Sequence, residues 1–194
     1  PYTFDKTKID SILEEHPKIS FNKISNSPKI GFVNGLYATS TGIGGLTVIE
    51  VTKTFSETKF SLELTGHQGD IMKESVKCAK TIAWNLLSTD NKKKILDQMN
   101  DLSWGLHVHT PDAATPKDGP SGGAAITTGI LSFLINIPVK NDIAITGEID
   151  LNGNIKKIGG LTSKLLGAKK AGVKTVLIPQ ENLNDLELIR KKEL

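Results

Sequence analysis

Cysteine is all but missing: Cys78 is the only one in 194 residues. An intrachain disulfide is therefore excluded, and the usage fits a reducing compartment. Aromatic residues are scarce at 5%. With the richness in Lys, Asn and Ile, that fits an AT-rich genome of bacterial, organellar or viral origin. No apolar run is long enough to span a membrane, and no secretory signal is visible. The terminal Lys191-Lys192-Glu193-Leu194 is one residue off a retention signal, and without a secretory signal it reads as the end of a helix. Charge of one sign is also lacking. A net charge of +3, from scattered lysines, makes no case for a nucleic-acid partner. No G-x-x-x-x-G-K-[ST] phosphate loop occurs, so the chain is expected neither to bind nor to hydrolyse ATP by itself. No internal repeat or low-complexity tract appears. The first residue is Pro1 rather than Met, so the chain is expected to be a piece of something longer.

What remains is an ordinary globular composition, 38% apolar and 23% charged, enough for one real core. The stretch T-P-K-D-G-P-S-G-G-A-A-I-T-T (115–128) stands out within it. Asp118-Gly119-Pro120 is turn chemistry, and the run after Ser121 reads as a buried helix in which Gly and Ala permit close backbone approach. Free N–H groups and the helix dipole favour negative charge there. Three readings follow: Ser121 caps the helix, the Gly-rich turn holds phosphate, or Ser121 is a nucleophile whose oxyanion the N–H groups stabilise.

Along the chain, Ile9, Ile12 and Leu13 suggest a short lead-in helix, and Pro17 and Pro28 bracket an extended stretch. Asn34-Gly35 between Phe32-Val33 and Leu36-Tyr37 predicts a hairpin turn. Gly42–Gly45 reads as a loop, 46–51 as a strand carrying Glu50, and 60–64 as the next strand. Met72, Val76, Ala79, Ala83 and Leu86 form a helical stripe. Lysines 92–94 lie on the polar side of the next segment, which holds Ile95, Leu96 and Met99, and read as a solvated face. After the Ser121 helix, ended by Pro138, 142–150 reads as one strand with Thr146 in its middle. Asn152-Gly153 is a turn, and 154–158 the return strand. Leu161 to Ala171 reads as a helix closed by Gly172. The run T-V-L-I at 175–178 suggests a buried strand, and 183–194 a surface helix.

Strand 106–110 turns His107 and His109 to one face. Two such histidines can chelate a metal, but no third ligand is apparent, since His16 and His67 lie in unrelated contexts; no metal is expected. Lys164 is the other anomaly. On a helical projection it falls inside the arc of Leu161, Leu165, Ala168 and Ala171, away from Lys169 and Lys170. Such a lysine either snorkels out or is enclosed, and enclosure lowers its pKa until the neutral amine can act as a base. Ser121 with Lys164 then suggests a Ser–Lys dyad.

These segments together resemble the proteolytic domain of the Lon proteases. The motifs are T-P-K-D-G-P-S-G-G-A (115–124), L-H-V-H-T-P-D-A (106–113), T-G-E-I (146–149), G-G-L-T-S-K-L-L-G-A-K-K-A-G (159–172) and K-T-V-L-I-P (174–179). The resemblance extends back through G-F-V-N-G-L-Y-A (31–38), T-V-I-E (47–50) and L-T-G-H-Q-G-D-I-M-K-E-S (64–75), so it covers about residues 30–186. Gly122-Gly123 departs from the family's small residue, usually Ala, followed by Gly, and segment 39–46 has also diverged.

The resemblance implies a mixed α/β (α+β) fold with short sheets and hairpins packed by several helices. Residues 1–30 would be the tail of a linker from a missing ATPase module and 31–194 the protease. It implies a serine endopeptidase with Ser121 as nucleophile, Lys164 as general base and Thr146 orienting the lysine. Asp118 would shape or occlude the site. Glu50, His107 and His109 would support it, and backbone at Gly119, Pro120 and Gly122 would surround the oxyanion. No cofactor is implied for this chain; ATP and Mg would belong to the ATPase module. Unfolded proteins or peptides would be substrates, the full protein would form a hexameric ring in the cytoplasm or an organellar matrix, and no membrane contact is implied. A catalytically inactive ring-forming relative and a phosphate-binding module are the rival readings.

Overall fold

A computed structural model describes residues 5–12, 22–111 and 117–193. Its strands are β1 (Phe32–Ala38), β2 (Gly44–Phe55), β3 (Leu62–Thr65), β4 (Trp104–His109), β5 (Ile143–Ile145), β6 (Glu148–Ile149), β7 (Ile155–Lys156) and β8 (Thr175–Leu177). Its helices are α1 (Lys6–Ile12), α2 (Asp70–Leu86), α3 (Thr89–Asp101), α4 (Gly123–Ile135), α5 (Leu161–Ala171) and α6 (Leu183–Glu193). Single turns of 3-10 helix lie at Pro120–Gly122 and Gln180–Asn182. This is the expected mixed α/β architecture. Leu13, His16, Pro17 and Leu194 lie outside the described residues.

Six strands form one mixed sheet in the order β3-β4-β2-β1-β5-β8, and β6 pairs with β7. Strand alternation gives the sheet two apolar faces. Val33, Ile49, Val51, Leu106 and Val108 pack against Met72, Val76, Met99 and Ile130 of α2, α3 and α4. Leu36, Leu46 and Ala144 point the other way, onto Ala168 and Ala171 of α5. Ile24 joins this second cluster, and its N–H donates to Ala171 O. The chain upstream of residue 31 therefore touches the same helix that carries Lys164.

Several expectations fail for identifiable reasons. Asn34-Gly35 is not a turn; β1 runs through it. The Asn34 amide is spent on Asn141 O and Ile143 O, which ties β1 to the start of β5. The chain reverses instead around residues 39–43, and Gly44-Gly45 belong to β2. The strand expected over 142–150 is broken. Thr146 lies between β5 and β6, where its N–H turns to Leu177 O. Gly147 pairs with the start of the serine helix, donating to Ser121 O and accepting from Ala124 N. β8 is an edge strand with Leu177 50% exposed, not a buried one. Leu86 leaves the α2 stripe and is exposed, while Met72, Val76, Ala79 and Ala83 are buried as expected. α4 ends at Asn136 in the left-handed conformation, two residues before Pro138.

Candidate active site

Ser121 and Lys164 reach the same point from opposite sides of the sheet. Ser121 sits in the one-turn helix that leads into α4, on the face covered by α2 and α4. That turn needs Gly119, whose φ of +115° L side chains rarely adopt. Ser121 caps neither helix: Gly119 and Gly122 hold the two N-cap positions, and no side chain bonds there. Lys164 stands on α5, across the sheet. The break after β5 brings Thr146 between them.

Lys164 Nζ donates to Ser121 Oγ at 2.9 Å and to Thr146 Oγ1 at 3.1 Å. Thr146 Oγ1 in turn donates to Ser121 O at 3.3 Å. Thr146 is 1% exposed and Lys164 3%, so the amine is enclosed rather than snorkelling. Burial pushes its pKa down to about 8. Among the described residues the amine forms no ion pair, so nothing anchors its charged form beyond two neutral hydroxyls. Both side chains open into a cleft of about 1090 Å³, lined elsewhere by Leu36, Tyr37, Met72 and the 157–160 segment.

The remaining expected site residues divide. Asp118 lines the cleft, but its Oδ1 accepts from Met72 N and Gly119 N, both at 2.9 Å. It thus caps α2 and shapes the turn before Ser121. Of the three backbone positions expected around an oxyanion, Pro120 has no N–H, and the Gly119 N–H is held by Asp118. Gly122 shares the serine's turn. The Ser121 N–H, which was not among the expected donors, bonds to nothing among the described residues. Gly122 in place of Ala is sterically silent, because a Cβ there would meet only Ile126 Cδ1 at 3.5 Å. At Gly123 a Cβ would press on Ile149 and Ser75 at 2.9–3.0 Å, so that glycine is required.

Glu50, His107 and His109 are not among the residues that line the cleft shared by Ser121 and Lys164. Glu50 lines a separate small cavity with Phe32, Asn34 and Val48. His107 Nε2 and His109 Nδ1 each lie 2.7 Å from Thr65 Oγ1, and Glu63 Oε2 is 4.0 Å from His107 Nδ1. Among the described residues, no three His, Cys, Asp or Glu side chains are grouped to hold a metal, and no helix is long and apolar enough to cross a membrane.

The cleft walls extend beyond the expected site residues. Leu36 to Ser40 line the cleft where β1 outruns β5: their pairing ends at Gly35↔Ile145, and β1 continues to Ala38. The misread Asn34-Gly35 turn hid this. Gly159-Gly160 was visible only as the opening of a helix.

Comparison with known proteins matches residues 3–193 to the Lon protease (S16) C-terminal proteolytic domain. A Lon protease homolog of Acanthamoeba polyphaga mimivirus is 45% identical over 92% of this chain and 18% of its own length. The Lon protease of Haemophilus influenzae is 44% identical over 89% of the chain and 20% of its own length. That of Methanosphaera stadtmanae is 38% identical over 96% and 22%. The chain therefore spans about a fifth of the length of these relatives. With that match across nearly every residue, the chain belongs to the family of Lon (S16) C-terminal proteolytic domains.

Proposed function

We propose that the chain is a serine endopeptidase domain in which Ser121 is the nucleophile, Lys164 the general base and Thr146 the residue that orients the base. The observation that carries this reading is a single one: a buried lysine amine, without an ion pair among the described residues, 2.9 Å from a serine hydroxyl that caps no helix. Neutral Lys164 takes the Ser121 proton as Oγ attacks the scissile carbonyl. The Ser121 N–H stabilises the oxyanion, a kind of donor whose loss costs about 10²–10³ in rate. As the tetrahedral intermediate collapses, Lys164 returns the proton to the leaving amine. It then takes a proton from the water that attacks the acyl-enzyme, and returns that proton to Ser121 Oγ as the ester bond breaks and the acid product leaves. No step draws on a cofactor.

The substrate is an extended polypeptide. The edge of β1 beyond Gly35, which no strand among the described residues pairs, offers a place for its main chain, and a cleft of about 1090 Å³ suits a segment rather than a single side chain. In the full-length protein the domain would work downstream of an ATPase module that supplies unfolded chains, within a ring of six in the cytoplasm or an organellar matrix. Asp118 is assigned to shaping the loop. Hydrolysis of casein and of a fluorogenic peptide by the domain and by Ser121→Ala tests the reading. Activity that survives in Ser121→Ala would end it.

A further inference from the structure

One wall of the cleft is a bare stretch of chain. Lys157, Ile158, Gly159 and Gly160 line it, between the end of β7 and the start of α5, with no strand beside them. Its support comes from behind, from the turn before α6. Asn182 is 0% exposed. Its Oδ1 accepts from Ile158 N at 3.0 Å, and its Nδ2 donates to Ile158 O at 2.9 Å. The side-chain amide thus copies a neighbouring peptide unit and occupies both backbone groups of one residue. Its second amide hydrogen goes to Asp185 Oδ2 at 2.7 Å. Glu181 Oε2 accepts from Lys157 N at 2.9 Å, and Asp185 closes the set with an ion pair to Lys157 Nζ at 3.0 Å.

The grip stops at Ile158. The next residue, Gly159, is exposed on the cleft, and its N–H and C=O carry no hydrogen bond among the described residues. A Cβ at Gly159 would meet nothing within 4 Å, so another main chain can approach it unhindered. α5, meanwhile, has an anchor of its own. Its Gly167 and Ser163 touch the backbone of Gly44 directly, which fixes Lys164 without help from residue 182.

We propose that Asn182 is a substrate-positioning residue: it holds the 157–160 wall so that the Gly159 peptide unit faces and hydrogen-bonds the main chain of a bound peptide. This rests on the reading of Ser121 and Lys164 as the dyad, and it adds where the substrate backbone is gripped. A buried amide with every polar atom engaged is replaced only at the cost of unpaired groups. Its loss releases the wall, while the serine and its base keep their places.

The test is Asn182→Asp, which swaps an amide NH2 for oxygen in the same shape. It sets a carboxylate oxygen against Ile158 O and Asp185. Three quantities are measured: kcat and KM on an internally quenched decapeptide, the rate and pH midpoint of Ser121 modification by a small sulfonyl fluoride, and the thermal midpoint. KM is expected to rise about tenfold, the weight of roughly one hydrogen bond to substrate, with the modification rate and its pH midpoint unchanged. Adding Asp185→Asn should recover part of the KM, since an amide then faces the new carboxylate. If Asn182→Asp fails to fold, Gly159→Pro decides. It deletes the unbonded Gly159 N–H on the exposed wall and should give the same rise in KM. An unchanged KM, or a modification rate that falls in step with peptide cleavage, overturns the assignment. Wild-type protein whose Ser121 resists the reagent at every pH overturns the dyad reading itself, and is distinguished because the fault is present before residue 182 is altered.

Discussion

Lys164 Nζ meets Ser121 Oγ at 2.9 Å although their helices pack on opposite faces of one sheet. The contact is possible only because β5 stops at Ile145, which opens a passage around the end of the strand. The amine in that passage is enclosed, so its protonation is set by desolvation rather than by a partner carboxylate.

The first expectation concerns pH. With the amine near pKa 8, about one molecule in ten carries the neutral base at pH 7, and about half do at pH 8. Peptide cleavage under kcat/KM conditions should therefore rise roughly tenfold per pH unit below 7 and level off above 9. A profile that is flat from pH 6 to 9 would remove lysine as the base.

The same burial has a stability consequence of opposite sense to activity. The folded pKa is depressed, so below about 8 the amine is charged in both states and the folded state carries the full desolvation cost. Between about 8 and 10.5 the folded state sheds its proton first, and the cost fades. Lys164→Met should thus abolish cleavage yet stabilise the domain at pH 7 by about 2 kcal/mol, less than the full shift allows because two hydrogen bonds are lost. Its advantage should shrink as pH rises toward 10. Urea melts of both proteins at three pH values measure this, and a destabilised Met variant at pH 7 would contradict it.

Thr146 ties the base to the nucleophile's own backbone: it accepts from Lys164 Nζ and donates to Ser121 O. Thr146→Val keeps the volume and removes both bonds. A hydrogen bond to a group that becomes charged contributes about 1.5–3 kcal/mol, so kcat should fall roughly ten- to a hundredfold with little change in KM. Thr146→Ser retains the hydroxyl and should stay within a few-fold of wild type. Steady-state kinetics on one fluorogenic peptide separate the two variants.

Much of this was legible in the residues. The stripe of α2 apart from Leu86, the shared face of the β4 histidines and the place of Lys164 on the apolar arc of α5 follow from periodicity, because each depends on neighbours within a turn or two of the same element; that Lys164 is enclosed rather than snorkelling does not. What was not legible depends on groups far apart in the chain. Asn34-Gly35 has turn chemistry, but the Asn34 amide is claimed by residues 141 and 143, and the local preference loses. Thr146 reads as mid-strand until Leu177 O captures its N–H and bends the chain. Glu50, His107 and His109 fell near the site only by resemblance; β2–β4 pairing sets Glu50 opposite His109, and none of the three lines the cleft. The Ser121 N–H could have been picked out earlier, since a proline before the serine leaves that position as the first donor in the turn.

Gly44 supplies the last expectation. It lies at the start of β2 against the backbone of α5, and a Cβ there would collide with Ser163 O, the carbonyl next to Lys164. Gly167 makes the reciprocal approach onto Gly44, so neither side can yield without moving the helix. Gly44→Ala must therefore push α5 outward, and it takes Lys164 away from Ser121. A displacement of about 1 Å can cost on the order of 10²-fold in rate, while overpacking costs about 1–3 kcal/mol of stability. The variant should remain folded by circular dichroism but lose Ser121 labelling by a sulfonyl fluoride along with peptide cleavage. Gly42→Ala, two residues away in the exposed turn with nothing within 4 Å of its Cβ, pays only for its positive φ and should label normally. Equal labelling of the two variants would show that the placement of the base does not rest on this backbone contact.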